Sequence, residues 1–129
     1  MFRVLIVDDD ETLRLTVRAA LETRGYQIDE AEDGELGVRM FEQRGPYDAV
    51  ILDVNMPRMN GLDALTAIKQ MNPATFCLIL TAYTNIKDAI LAIKQGAFDY
   101  LEKPVDGSRI LDLIDQATQA NRLVEAASL

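Results

Sequence analysis

The sequence predicts an α/β domain: a doubly wound, five-stranded parallel sheet with five helices. Short apolar runs alternate along the chain with segments of helical periodicity, the pattern of a parallel sheet covered on both faces. Breakers fall at the joins, at Arg24-Gly25, Gly45-Pro46, Asn72-Pro73 and Gly96. Unusual polar residues follow the apolar runs, at the strand ends where open α/β sheets bind ligands.

Val4-Leu5-Ile6-Val7 reads as a buried first strand, and Leu13, Val17, Ala20 and Leu21 then recur at helical spacing. Gln27 to Ala31 is partly polar and suits a less covered place in the sheet. Leu36, Met40 and Phe41 mark a second helix, and Ala49-Val50-Ile51-Leu52 a third, fully buried strand. Leu65, Ile68 and Met71 give the next helical face, followed by the strand Cys77-Leu78-Ile79-Leu80. Ile86, Ala89, Ile90 and Ile93 form a fourth helical pattern, and Asp99 to Glu102 a short, partly polar strand. Ile110, Leu113, Ile114 and Ala117 start a last helix whose pattern continues through Leu123, Val124 and Ala127.

At 129 residues the chain is long enough for one core and too short for two. Its 49% apolar and 26% charged residues describe a folded globule rather than a disordered segment. A net charge of -8 argues against direct binding to nucleic-acid backbones, without excluding a nucleic-acid-binding domain joined elsewhere. The one cysteine, Cys77, cannot form an internal disulfide and sits in an apolar run, so a buried, reduced thiol is expected. No run approaches the roughly 18 apolar residues of a membrane span. The N-terminus enters a strand-like run at once, so no signal peptide is expected. A cytoplasmic location without membrane contact is the expectation.

The chemistry lies at the strand ends. Asp8-Asp9-Asp10 follows the first strand; alone, it reads equally well as a helix cap with extra charge complementing the helix dipole, a role suited to Asp10. Asp53 arrives from the third strand, and three converging carboxylates repel one another unless a hard divalent cation joins them. Mg²⁺ takes oxygen ligands and typically combines one or two carboxylates with phosphate oxygens. The acidic turn contains no glycine, which disfavours a flavin or dinucleotide phosphate held directly on backbone N–H groups. Asp53 alone is an ordinary strand-ending turn residue; beside a metal it is a candidate carboxylate nucleophile for phosphoryl transfer. Thr81, after strand four, and Lys103, after strand five, read singly as a capping hydroxyl and a solvated lysine. Jointly, facing Asp53, they supply a hydroxyl donor and a fixed positive charge for phosphoryl oxygens.

The motifs Val7-Asp8-Asp9-Asp10, Ile51-Leu52-Asp53-Val54-Asn55-Met56-Pro57 with Gly61, Thr81-Ala82, and Gly96-Ala97-Phe98-Asp99-Tyr100-Leu101-Glu102-Lys103-Pro104 resemble receiver domains of two-component response regulators. They appear in family order across essentially the whole chain, and the last segment resembles nitrogen-regulatory transcription activators. The resemblance implies a flavodoxin-like receiver fold over residues 1–120. Residues 121–129 would be a helical tail or the start of a linker to an output domain. It implies a phosphorylation-dependent switch rather than an enzyme with a separate substrate. Asp53 would accept phosphate from a sensor histidine kinase or phosphotransfer protein in a Mg²⁺-dependent reaction. Asp9 would bind the metal directly, Asp8 directly or through water, and Asn55 through its backbone carbonyl. Lys103 and Thr81 would hold phosphoryl oxygens, and Tyr100 would be the aromatic switch. The Lys103–Pro104 peptide bond would be cis. Asn55 and Tyr83 would flank the approach of attacking water.

Two other readings compete. A Mg²⁺-dependent aspartyl-phosphate phosphatase would carry its nucleophile after the first strand and add a cap, for which there is no length here. A phosphorylation-independent interaction module would show an altered Asp53, Lys103 or acidic pair, and none is altered. The segment Ala89-Ile90-Leu91-Ala92-Ile93 is apolar on more than one helical face. Either neighbouring helices cover the excess, or helix four, strand five and helix five form a partner surface, for example for a homodimer.

Overall fold

The computed structural model describes residues 2–54, 56, 58–82 and 86–128, with side chains through residue 120. Strands and helices alternate: β1 (Arg3–Val7), α1 (Glu11–Glu22), β2 (Gln27–Ala31), α2 (Gly34–Arg44), β3 (Ala49–Asp53), α3 (Gly61–Met71), β4 (Phe76–Thr81), α4 (Ile86–Lys94), β5 (Asp99–Glu102) and α5 (Gly107–Ser128). The strands form one five-stranded sheet in the order β2-β1-β3-β4-β5, every pair parallel. The predicted doubly wound sheet with its five helices is what forms.

Sequence polarity explains strand placement. β1, β3 and β4, the apolar runs, occupy the centre, while the partly polar β2 and β5 take the edges. Alternate residues of each central strand enter different cores. Leu5, Val7, Val50, Leu52, Cys77 and Ile79 pack with Phe41 of α2, Leu65 and Ile68 of α3 and Ala92 of α4. Val4, Ile6, Ile51, Leu78 and Leu80 pack with Val17 and Leu21 of α1 and Ile110 and Ile114 of α5. Each fully buried Leu or Ile contributes about 2 kcal/mol.

Side-chain caps start the first three helices. Asp10 accepts from the Thr12 and Leu13 N–H groups, Asp33 from Leu36 and Asn60 from Asp63, satisfying donors that the first turn leaves open. The capping role anticipated for Asp10 is the one it fills. Cys77 is buried and free, its thiol pushed up to about 12 mainly by burial.

Two helical faces differ from the sequence pattern. Met71, at the last turn of α3, is exposed rather than in the core. On α4, Ile86, Ile90 and Ile93 are 74%, 51% and 49% exposed, while Ala92 is fully buried. The small residue lets the helix lie close to the sheet and turns the larger side chains outward. α5 runs unbroken from Gly107 to Ser128, across the 120/121 position. Tyr26 Oη donates to Asp115 Oδ1 at 2.7 Å and anchors this helix beside the start of β2. Among the described residues, no helix is long and apolar enough to cross a membrane.

Candidate functional site

Strand order reverses between β1 and β3, and the carboxyl ends of these two adjacent strands deliver Asp8 and Asp53. Both are withdrawn from water, at 1% and 5% exposure, while Asp9 beside them is exposed. Asp8, Asp9 and Asp53 each offer a carboxylate oxygen, and the three oxygens lie within 4.8 Å of one another. The sequence-predicted acidic residues are thus brought together. The backbone carbonyl expected from Asn55 lies outside the described residues, as does Tyr83.

Lys103 comes from the other side. Its backbone N–H donates to the Thr81 carbonyl at 2.7 Å, extending the β4–β5 ladder one residue past Glu102. The ammonium is thereby delivered to the acidic group, 2.7 Å from Asp8 Oδ2 and 3.4 Å from Asp53 Oδ2. The Lys103–Pro104 peptide bond is cis, and so is Gly45–Pro46. Thr81 closes β4 fully buried, one residue beyond Leu80, the register partner of Asp53. Tyr100 is the register partner of Ile79 and packs at the edge of the α2–α3–α4 core. Side-chain alternation therefore puts it on the sheet face that Thr81 shares.

Burial raises the pKa of Asp8 above its ordinary value. The Lys103 hydrogen bond and charge and the Asp10 N–H, which donates to Asp8 Oδ1 at 2.9 Å, oppose the rise; the Asp9 charge adds to it. Burial by itself would lower the Lys103 pKa, but the hydrogen bond to Asp8 and the charges of Asp8 and Asp53 outweigh it and raise the value. Lys103 is therefore a secure ammonium at neutral pH. A cluster of three carboxylates facing one such cation suits a hard, oxygen-seeking divalent ion, so the described residues fit Mg²⁺.

Tertiary packing adds residues that periodicity did not single out. Gly61 N–H donates to the Val54 carbonyl at 2.9 Å. A Cβ on Gly61 would collide with the Asp53 carbonyl oxygen, so glycine is what lets α3 begin directly against the end of β3. Arg58, in the left-handed region at φ 72°, donates to Asp33 Oδ2 at 3.0 Å and ties the β3–α3 loop to the cap of α2. Arg14 Nη1 donates to the Asp8 carbonyl at 2.6 Å, and Arg14 Nε to Glu30 Oε1 at 3.1 Å. A charged residue recurring between the apolar positions of α1 was the available signal, but it resembles an ordinary solvated face.

Comparison with known proteins agrees with this architecture. The family model described as "Response regulator receiver domain" matches residues 4–115. The transcriptional regulatory protein ZraR of Escherichia coli O157:H7 is 35% identical over 123 residues, which are 95% of this chain and 28% of that protein. The chain thus spans little more than a quarter of that relative's length. A response regulator receiver domain from Clostridium thermocellum superposes with a TM-score of 0.87 at 34% identity, covering 96% of this chain and 99% of that one. The NtrC4 receiver domain, solved as a beryllofluoride-activated dimer, gives 0.86 at 32% identity, covering 93% and 98%. The fold, the shared strand-end motifs and these matches place the chain in the response regulator receiver domain family, among relatives that are transcriptional regulators.

Proposed function

We propose that this chain is a phosphorylation-dependent switch in which Asp53 takes a phosphoryl group from a sensor histidine kinase or phosphotransfer protein. The observation that carries the reading is the convergence of Asp53 with Asp8, Asp9 and the Lys103 ammonium at the strand-order reversal. In the transfer, an Asp53 carboxylate oxygen forms a bond to phosphorus as the bond to the donor's imidazole nitrogen breaks. The electron pair stays on that nitrogen, which then takes up a proton. Asp8, Asp9, Asp53 and the Asn55 carbonyl would hold Mg²⁺, which would supply charge neutralisation for the phosphoryl oxygens.

Lys103 would neutralise a second oxygen, moving from its pair with Asp8, and the Thr81 hydroxyl would donate to a third. Donation by Thr81 would draw it inward and open space that the Tyr100 ring can fill. The phosphorylated state would thus favour a changed α4–β5–α5 face through contacts that differ between the two states. The exposed Ile86, Ile90, Leu91 and Ile93 of α4 support a partner surface there, and a second copy of the chain is the proposed partner. The domain would assist its own phosphorylation and dephosphorylation and have no separate substrate. It would act in the cytoplasm, with residues 1–120 as the receiver and 121–129 leading toward an output domain, as the greater length of its relatives suggests. DNA contact would belong to that output domain.

Intact mass after incubation with acetyl phosphate tests the reading. A phosphoryl increment is expected with Mg²⁺ present, none with chelator, and none in Asp53→Asn. An equal increment in Asp53→Asn would overturn it.

A further inference from the structure

Behind the acidic loop, α1 and β2 carry a chain of charges reaching the backbone of Asp8. Arg18 Nη1 donates to Glu30 Oε2 at 2.7 Å, Arg14 Nε to Glu30 Oε1 at 3.1 Å, and Arg14 Nη1 to the Asp8 carbonyl at 2.6 Å. The Arg14 side chain is only 15% exposed. An arginine so enclosed, oriented by a carboxylate and spending another N–H on one backbone carbonyl, is a fixed strut rather than a solvated charge. The carbonyl it holds belongs to the Asp8–Asp9 peptide. Fixing that plane sets the direction in which the exposed Asp9 leaves the backbone, and with it the spacing of the Asp8 and Asp9 carboxylates.

From this geometry we infer that Arg14, braced by Glu30, is a positioning residue for divalent-cation binding by Asp8 and Asp9. The inference rests on the proposed metal role of these carboxylates. It also predicts the sign of an effect. A cationic side chain near a cation site opposes binding by charge alone, so its removal would tighten Mg²⁺ binding. If the strut matters more, its removal weakens binding, as loss of groups that orient metal ligands does.

The test is calorimetric titration of the full chain with Mg²⁺, paired with chemical denaturation. Arg14→Met is expected to weaken Mg²⁺ binding about tenfold, with Arg14→Lys recovering part of the loss. Arg18→Met, which breaks the same Glu30 network without touching Asp8, is expected to leave Mg²⁺ affinity unchanged whatever it does to stability. Glu30→Gln is expected to weaken binding by a smaller factor, and it carries the test if Arg14→Met fails to fold. Unchanged or tighter binding in Arg14→Met, or in Glu30→Gln where that variant carries the test, overturns the inference. Equal loss in Arg14→Met and Arg18→Met also overturns it, since that is a structural effect. Asp9→Ala separates the metal site from the strut. If it abolishes binding while Arg14→Met matches wild type, the metal site stands and the strut falls. If it binds as wild type does, both fall.

Discussion

Lys103 Nζ lies 2.7 Å from Asp8 Oδ2, and neither side chain has more than a small fraction of its surface in water. Without a metal, this pairing compensates the most buried carboxylate of the acidic group. Removing one partner of such a pair leaves an uncompensated charge.

Lys103→Met is accordingly expected to destabilise the metal-free protein by about 3 kcal/mol at neutral pH. Burial already raises the Asp8 pKa, and Lys103 opposes that rise; its loss raises the value further. The cost is therefore full above the raised Asp8 pKa and disappears as pH falls through it and the carboxyl becomes neutral. At the alkaline end, the Lys103 pKa is raised above 10.5. Its contribution in the wild type holds below that value and is lost as pH rises through the folded-state value. Urea denaturation across pH measures both limits. A cost independent of pH would contradict the pairing.

Gly61 and Gly25 make a matched pair of substitutions. A Cβ on Gly61 meets the Asp53 backbone carbonyl, which cannot move without disturbing the site, whereas a Cβ on Gly25 meets nothing within 4 Å. Gly25→Ala is expected to cost about 1 kcal/mol for its left-handed backbone, and Gly61→Ala about 3 kcal/mol by overpacking. Denaturation midpoints rank them. Equal costs would mean that the β3–α3 junction yields more readily than its packing indicates.

Much of this site was legible because it uses the ends of strands, and strand ends follow from apolar runs. Asp8, Asp9, Asp53, Thr81 and Lys103 could each be assigned to an edge before any contact was known. Which arc of α4 faces the sheet could not, since periodicity locates an apolar stripe but both stripes of α4 are apolar. The buried Ala92 and the outward Ile90 follow from closeness of packing. Arg14 was hidden for a related reason. Its importance lies in one bond to a backbone carbonyl, and residue type does not reveal backbone carbonyls that need a donor.

Tyr47 supplies a pH readout far from the site. Burial, followed by the hydrogen bond and charge of Asp29, pushes its hydroxyl up to about 12; Tyr47 Oη donates to Asp29 Oδ2 at 2.5 Å. Because the folded value exceeds the unfolded one near 10, the associated stability is full below about pH 10 and lost as pH rises toward 12. Ultraviolet titration of wild type against Tyr47→Phe should assign a tyrosinate transition well above pH 10 to Tyr47. A transition near pH 10 would contradict the enclosed geometry.

The α4 surface is tested by sedimentation with and without beryllofluoride. Association is expected to rise in wild type and to fall away in Ile90→Glu and Leu91→Glu, whose side chains face solvent. Thr81→Ala is expected to bind the mimic but to associate less. If association rises equally in both glutamate variants, the switch lies on another face.

Chemical marking of the acyl phosphate identifies the residue that receives the phosphoryl group. Borohydride reduces an aspartyl-phosphate to homoserine, so the protein phosphorylated in Mg²⁺ is treated with borohydride, digested and sequenced by mass spectrometry. Homoserine is expected at position 53, with unmodified aspartate at positions 8 and 9. Homoserine at position 8 or 9, or phosphorylated protein with position 53 unreduced, would rule out Asp53 as the acceptor.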